Sequence, residues 1–260
     1  METVTDVMQA LIQRTMQAYT PSCESEKPQY KCEKCHDNGW IEVDPVTRAV
    51  RKCECQLARE AEERMKRSGL EQALQTQTFE TFVQKTPLQQ RVYKLGRDYV
   101  AAVLDRNNTR RPWLYIGGNP GSGKTHICTA ICGELLKNNI GVRYMQWLDE
   151  SRRLKALVND DDFSDYVEDY INVQVLYIDD LMKQKYTARP TFTEADIKIA
   201  FTILNARYLQ NKPTIISSEW DLIEQLLAAD EGVFSRVYER CKGYTLTIER
   251  NPANNYRLSA

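Results

Sequence analysis

The chain has 260 residues and 42% hydrophobic composition, enough to fill the cores of one large α/β domain and a small one. Lys and Arg total 35 against 36 Asp and Glu, so the net charge of −1 supplies no global field for nucleic acid, and any such contact needs a local basic patch. The opening METVTDVMQALIQRTMQAYT lacks the basic start and apolar run of a signal peptide, and no stretch approaches the ~18 apolar residues of a membrane span; the reading is a soluble cytoplasmic protein without membrane contact.

Val4, Val7, Met8, Leu11, Ile12 and Met16 recur at helical spacing and form one apolar stripe ended by Pro21. Such a stripe either packs on its own module or binds a partner. Two cysteine pairs follow, Cys32-x2-Cys35 and Cys53-x-Cys55. Between them WIEVDPVTRAVRK reads as two short strands, Trp40 to Val43 and Ala49 to Arg51, around an Asp44-Pro45 turn, which brings the pairs together at the base of a hairpin. Four sulfurs so placed suit a tetrahedral zinc. A redox centre would use one C-x-x-C and leave Cys53 and Cys55 unexplained, and His36 is the weaker, nitrogen alternative for one ligand. Cys23, Cys128, Cys132 and Cys241 have no metal-like spacing, and Cys128 and Cys132 read as small core residues.

QLAREAEERMKRSG is a charged helix stopped by Gly69, and the polar LEQALQTQTFETFVQKTP reads as an interdomain connector. The expected domains are therefore 1–75, zinc-binding, and 76–260. Thr86-Pro87 opens a helix with Leu88, Val92, Leu95, Tyr99, Val103 and Leu104 on one face. Beyond it, strands are expected at 113–117, 141–146, 173–178, 213–218 and 244–248 with helices between them, an α/β pattern that predicts a parallel sheet covered on both faces. The few residues after the last strand leave no room for a further helical subdomain.

WLYIGGNPGSGKTHICTAI places Gly118, Asn119, Pro120, Gly121, Ser122, Gly123, Lys124, Thr125 and His126 between a strand and a helix. Glycines let the backbone N–H groups turn toward phosphates, the helix N-terminus adds its positive end, Lys124 neutralises the β and γ phosphates, and Thr125 offers a hydroxyl to Mg²⁺. The ligand is ATP or ADP. VQVLYIDDL, an apolar strand ending in two acids, delivers Asp179 to the magnesium shell and Asp180 to the attacking water. Asp180 reaches less far than a Glu would, which predicts slow turnover. PTIISSEW ends in Ser217, Ser218 and Glu219, residues expected near the γ-phosphate. In DEGVFSRVYERCKGY a helix turns Val233, Phe234, Val237, Tyr238 and Cys241 toward the core, and Arg236 and Arg240 fall together off that face, where they could reach a neighbouring subunit's phosphate.

With these parts in order, CEKCHDNGWI, KCECQ, GNPGSGKTH, LYIDDL, LNARYLQNKPTIISS, SRVYERC and NNYRL, the chain resembles an AAA+ ATPase of the bacterial replicative helicase-loader family, the DnaC/DnaI type, in a form common in phages and prophages. The resemblance covers nearly the whole chain. It implies an AAA+ phosphate-loop core with a five-stranded parallel sheet of order 5-1-4-3-2 and no full C-terminal lid. It also implies that Arg236 is a finger acting in trans through self-association, that Arg257 is the second sensor, and that the residue ending TIISS is the first. That sensor is more often Asn; here Glu219 stands there, with Ser218 as the alternative. The implied partners are a hexameric DnaB-type helicase gripped by the zinc module and single-stranded DNA, with an initiator protein as a further candidate. Candidate DNA contacts are Arg152, Arg153, Lys155, Lys183, Lys185, Tyr186 and Arg189. Transposition helper ATPases of the IstB type resemble the same core but generally lack the zinc module. A small-molecule kinase would need an acceptor pocket and a lid, and an adaptor with a vestigial ATPase would not need Lys124, Thr125 and Asp179 intact.

Overall fold

A computed structural model describes residues 30–44, 47–53, 55–56, 63, 66, 70–160, 163–183 and 192–258. The stripe containing Leu11 and Ile12, Cys23, nearly all of the charged segment before Gly69, and Lys185, Tyr186 and Arg189 lie outside them. The chain divides into two compact units, Met1–Gln56 and Leu57–Ala260.

In the first unit, β1 (Trp40–Asp44) and β2 (Ala49–Lys52) form the expected antiparallel hairpin, with Trp40 opposite Lys52, Glu42 opposite Val50, and a bulge between Glu42 and Asp44. The loop before it is folded by its own polar side chains. Asp37 accepts from the Lys31 and Cys32 amides at 3.1 and 2.9 Å, and Asn38 accepts from the Trp40 amide at 2.8 Å. Gly39, at φ +82°, lets its carbonyl meet the Cys53 amide at 2.8 Å, which ties the two cysteine segments together.

In the second unit, α1 (Glu71–Thr76) and α2 (Pro87–Leu104) precede the sheet. A capping box starts α2: the Gln89 amide donates to the Thr86 hydroxyl, and the Thr86 amide to the Gln89 side chain, ahead of Pro87 in the first turn. The sheet strands are β3 (Leu114–Gly118), β4 (Val142–Gln146), β5 (Val175–Asp179), β6 (Thr214–Ser217) and β7 (Thr245–Ile248). They pair in parallel in the order β4-β5-β6-β3-β7, which is the expected 5-1-4-3-2. The helices between them are α3 (Lys124–Lys137), α4 (Trp147–Lys155), α5 (Phe163–Asn172), α6 (Glu194–Leu209) and α7 (Glu231–Arg240).

Alternation along the strands separates two apolar layers. Leu114, Ile116, Tyr177 and Ile215 pack with Phe79, Phe82, Tyr99, Ile127 and the buried Cys128 and Cys132, whereas Tyr115, Met145, Ile178 and Ile216 pack with Trp147, Ile203 and Phe234. The segment read as a connector belongs to the first layer: Leu70, Phe79 and Phe82 are buried there, because aromatic side chains in that polar stretch reach under α2 and α3. Tyr238, expected in the core, is 42% exposed; on α7 the inward face is carried by Val233, Phe234 and Val237. The fully buried Arg207 closes the sheet's lower end by donating to the carbonyls of Tyr170, Ile171, Val173 and Pro213 and to the Thr214 hydroxyl. Among the described residues no helix is long and apolar enough to cross a membrane.

Candidate functional site

The phosphate loop leaves β3 at Gly118 and enters α3 at Lys124. Gly118 (φ +96°) passes so close to β7 that a Cβ there would lie 2.0 Å from the Ile248 carbonyl oxygen, and Gly123 (φ +85°) is left-handed at the helix entry. These conformations turn the loop amides inward. The Ser122 hydroxyl donates to the Asn119 carbonyl at 2.7 Å and stiffens the turn. Lys124 is buried, its ammonium held by the carbonyls of Gly118 and Asn119 at 2.9 and 2.8 Å, and burial lowers its pKa against the pull of Asp180 and Glu219.

Asp179 ends β5 inside a ring of hydroxyl donors. Its Oδ1 accepts from Tyr177 at 2.7 Å, from Ser217 at 2.5 Å and from Thr125 at 3.2 Å, and its Oδ2 from Tyr144 at 3.0 Å. Burial and the Asp179 charge keep the Tyr144 and Tyr177 hydroxyls protonated well above the usual tyrosine range, so both remain donors. Thr125 and Asp179 present adjacent oxygens of the kind a magnesium ion takes beside a nucleotide's phosphates.

The next residue, Asp180, sits at φ +56°, with its amide donating to the Ser217 hydroxyl at 3.0 Å. Burial raises its pKa, opposed by Lys183. The Lys183 ammonium bridges Asp180 Oδ2 at 2.7 Å and Glu219 Oε1 at 2.9 Å. Burial works against that charge, but the two carboxylates outweigh it and hold the lysine above its ordinary value. A cavity of about 550 Å³ joins these groups: Lys124, Thr125, Asp180, Lys183 and Glu219 line it, with Gln77, Phe82 and Val83 on one wall and Tyr256 and Arg257 on another. The C-terminal wall is tied down by the Tyr256 amide, which donates to the Gly121 carbonyl at 3.0 Å.

His126 borders the cavity, with its Nε2 3.0 Å from the Thr78 carbonyl and 3.2 Å from the Thr81 hydroxyl. Ser218 is fully buried and its hydroxyl donates to the Leu181 carbonyl at 2.9 Å, away from the cavity lining. Arg236 is not among the lining residues; its guanidinium lies over the rings of Phe201 and Tyr208, at 5.3 and 5.9 Å. Arg240 does not accompany it as a free cation: it donates to Asn211 Oδ1 and the Tyr208 carbonyl, both at 2.7 Å. Arg152 and Arg153 each lie within 4 Å of an acid one turn earlier, and Lys155 is 2.7 Å from Asp196. Sequence reasoning missed Tyr144, Lys183 as a bridge, and the Gln77 and Phe82 wall. Tyr177, two residues before Asp179 and so on the same strand face, did leave a local signal.

In the first unit the sulfur atoms of Cys32, Cys35, Cys53 and Cys55 all lie within 4.8 Å of one another, with Cys32 to Cys53 at 3.7 Å and Cys35 to Cys55 at 3.3 Å. Zinc with sulfur at ~2.3 Å in a tetrahedron needs sulfur separations of about 3.8 Å, so the set fits that ion. The Gly39 amide donates to Cys35 Sγ at 3.4 Å, the outer hydrogen bond a thiolate ligand takes. His36 is outside the set and stacks on Tyr30 at 4.5 Å.

A phosphate loop after β3, which lies between β6 and β7, a buried acid at the end of the neighbouring-but-one strand and this sheet order define an AAA+ ATP-binding domain. The chain belongs to the family of IstB-like ATP binding proteins, whose model matches residues 47–244. It is 30% identical over 234 residues to the phage-like element PBSX protein XkdC of Bacillus subtilis strain 168, a match covering 87% of this chain and 85% of that protein. The crystal structure of the DnaC helicase loader superposes with a TM-score of 0.52 at 24% identity, covering 67% of this chain and 96% of that one. For the crystal structure of DnaI the TM-score is 0.53 at 22% identity, covering 70% and 94%. At these identities the likeness is one of fold.

Proposed function

We propose that this protein uses ATP to place a hexameric DnaB-type replicative helicase on single-stranded DNA, in a phage or prophage setting. The observation that carries the reading is the joining, in one chain, of a complete phosphate site to a four-cysteine unit whose first pair, Cys32 and Cys35, precedes the segment matched by the family at residue 47. A phosphate site supplies energy but no target, and the added unit is suited to supply one by gripping the helicase. The setting is supported by the phage-like element relative, and the fold shared with a helicase loader agrees with it.

In this reading the loop amides and Lys124 bind the phosphates. Thr125 and Asp179 would hold Mg²⁺, which neutralises charge on the β and γ oxygens when bound. Asp180 offers Oδ1 to the attacking water while Lys183 occupies Oδ2. Arg257 faces the nucleotide of its own chain, and Arg236, lying outside that cavity, serves a neighbour in a self-assembled ring. The cysteines would hold zinc, which cross-links the hairpin. The domain expectation becomes a division of labour: the N-terminal region selects the helicase and the remainder turns over ATP.

A second reading is a helper ATPase for transposition, because the chain belongs to the IstB-like ATP binding proteins and helpers of the IstB type resemble the same core. ATP turnover with and without single-stranded DNA, followed by capture of a purified DnaB-type helicase, separates them. The loader reading expects DNA-dependent turnover and capture of the helicase; capture of a transposase instead would overturn it.

A further inference from the structure

Lys183 fills a place in the nucleotide cavity that charge balance requires to be filled. Glu219 follows the end of β6 and lines the same cavity as Lys124 and Thr125. Alone, its carboxylate would repel the terminal phosphate of a triphosphate. It is not alone, because the Lys183 ammonium lies 2.9 Å from Glu219 Oε1 and 2.7 Å from Asp180 Oδ2. An ammonium has a further N–H beyond the two these carboxylates take.

The ammonium is positioned by backbone as well as by charge. After β5 the chain turns sharply through left-handed Asp180 and Met182, at φ +56° and +61°, and the Lys183 amide closes the turn on the Asp180 carbonyl at 2.9 Å. The turn is pinned to the adjacent strand: the Leu181 amide donates to the Ser217 carbonyl at 2.8 Å, and the Ser218 hydroxyl to the Leu181 carbonyl. Residue 183 is thereby returned over the ends of β5 and β6, near enough to Lys124 for the two charges to oppose each other.

We infer that Lys183 donates to the terminal phosphate of a bound triphosphate, with Glu219 and Asp180 as its positioning carboxylates, and so distinguishes ATP from ADP. The inference rests on reading the cavity as an ATP site. It makes Glu219 useful where it would otherwise be an obstacle: the acid does not touch phosphate but aims a cation at it. A lysine that merely restrains Asp180 would leave the relative affinity for the two nucleotides unchanged.

The test is calorimetry on the full chain with a non-hydrolysable ATP analogue and, separately, ADP. Lys183→Met is expected to weaken the analogue about tenfold, the worth of one charge-assisted hydrogen bond, while ADP affinity stays within about twofold and so also reports an intact fold. Lys183→Arg should restore most of the difference. Glu219→Gln keeps the cation and should keep the preference for the triphosphate. Unchanged or tighter analogue binding in Lys183→Met, an equal loss for both nucleotides, or a preference lost only in Glu219→Gln would overturn the inference. A wild-type chain that binds neither nucleotide would instead sink the ATP-site reading, and Lys124→Ala, expected to lose both ligands, marks that outcome.

Discussion

The two units of this chain are held by different forces. In the hairpin unit the buried described residues are Cys35, Gly39 and Cys53, while Trp40, Val43 and Val50 stay exposed. The ATPase unit buries Trp113, Trp147, Tyr115, Tyr177 and Phe234 almost completely in two layers around its sheet. Among its described residues the smaller unit has no apolar core to replace a cross-link, whereas the larger one is packed in two apolar layers. One chain thus carries a part whose four sulfurs suit a metal cross-link and a part whose shape depends on packing.

Loss of the metal should have the greatest consequence. Purified protein should carry close to one zinc per chain by elemental analysis, and Cys53→Ser should release it and remove amide protection from residues 30–56 while leaving ATP affinity unchanged. Protection that survives metal loss would show that the hairpin folds without the cross-link. On the other side, Lys124→Ala should abolish ATP binding with zinc content intact. Mixed with Arg236→Ala protein, which retains its phosphate site, it should recover turnover that neither variant has alone; no recovery at any ratio would remove the trans role of Arg236.

A smaller effect sharpens the packing side. Arg207→Met would remove the guanidinium hydrogen bonds from the carbonyls of Tyr170, Val173 and Pro213, around the start of β5 and β6, and should lower stability by about 3 kcal/mol in denaturant titration. A loss near zero would mean that neighbouring donors or water replace the guanidinium. The most modest effect concerns pH. Burial raises the Asp180 pKa, so its base form is lost earlier on acidification than that of an ordinary carboxylate. ATP turnover should therefore fall as pH drops through a midpoint above the usual carboxylate range, and Asp180→Asn should still bind ATP but hydrolyse almost none. A midpoint at or below that range would remove Asp180 as the titrating base.

Contiguity decided what was legible in the sequence. The phosphate loop, the strand ending in Asp179 and the paired cysteines each lie in one short stretch, and the alternation of strands and helices carried the sheet. The pairing of Thr125 with Asp179 was legible as a shared magnesium site, but the rest of the ring was not, because Tyr144 and Ser217 come from other segments and reach Asp179 only through strand order and the register that sets Tyr144 beside Tyr177. Lys183 looked like a candidate DNA contact because nothing local reveals the left-handed turn that returns it to Glu219. Phe79 and Phe82 were hidden in a polar stretch whose composition suggests a linker, although two aromatics three apart already hint at a buried edge.

The proposed division, in which the cysteine unit chooses the target and the phosphate site does the work, separates two affinities. Its most direct test measures, on the full-length chain, affinity for a purified DnaB-type helicase and for ATP, before and after Cys53→Ser. The expected result is loss of helicase affinity by more than about tenfold with ATP affinity within about twofold of wild type. Helicase binding that persists once zinc is gone would contradict it.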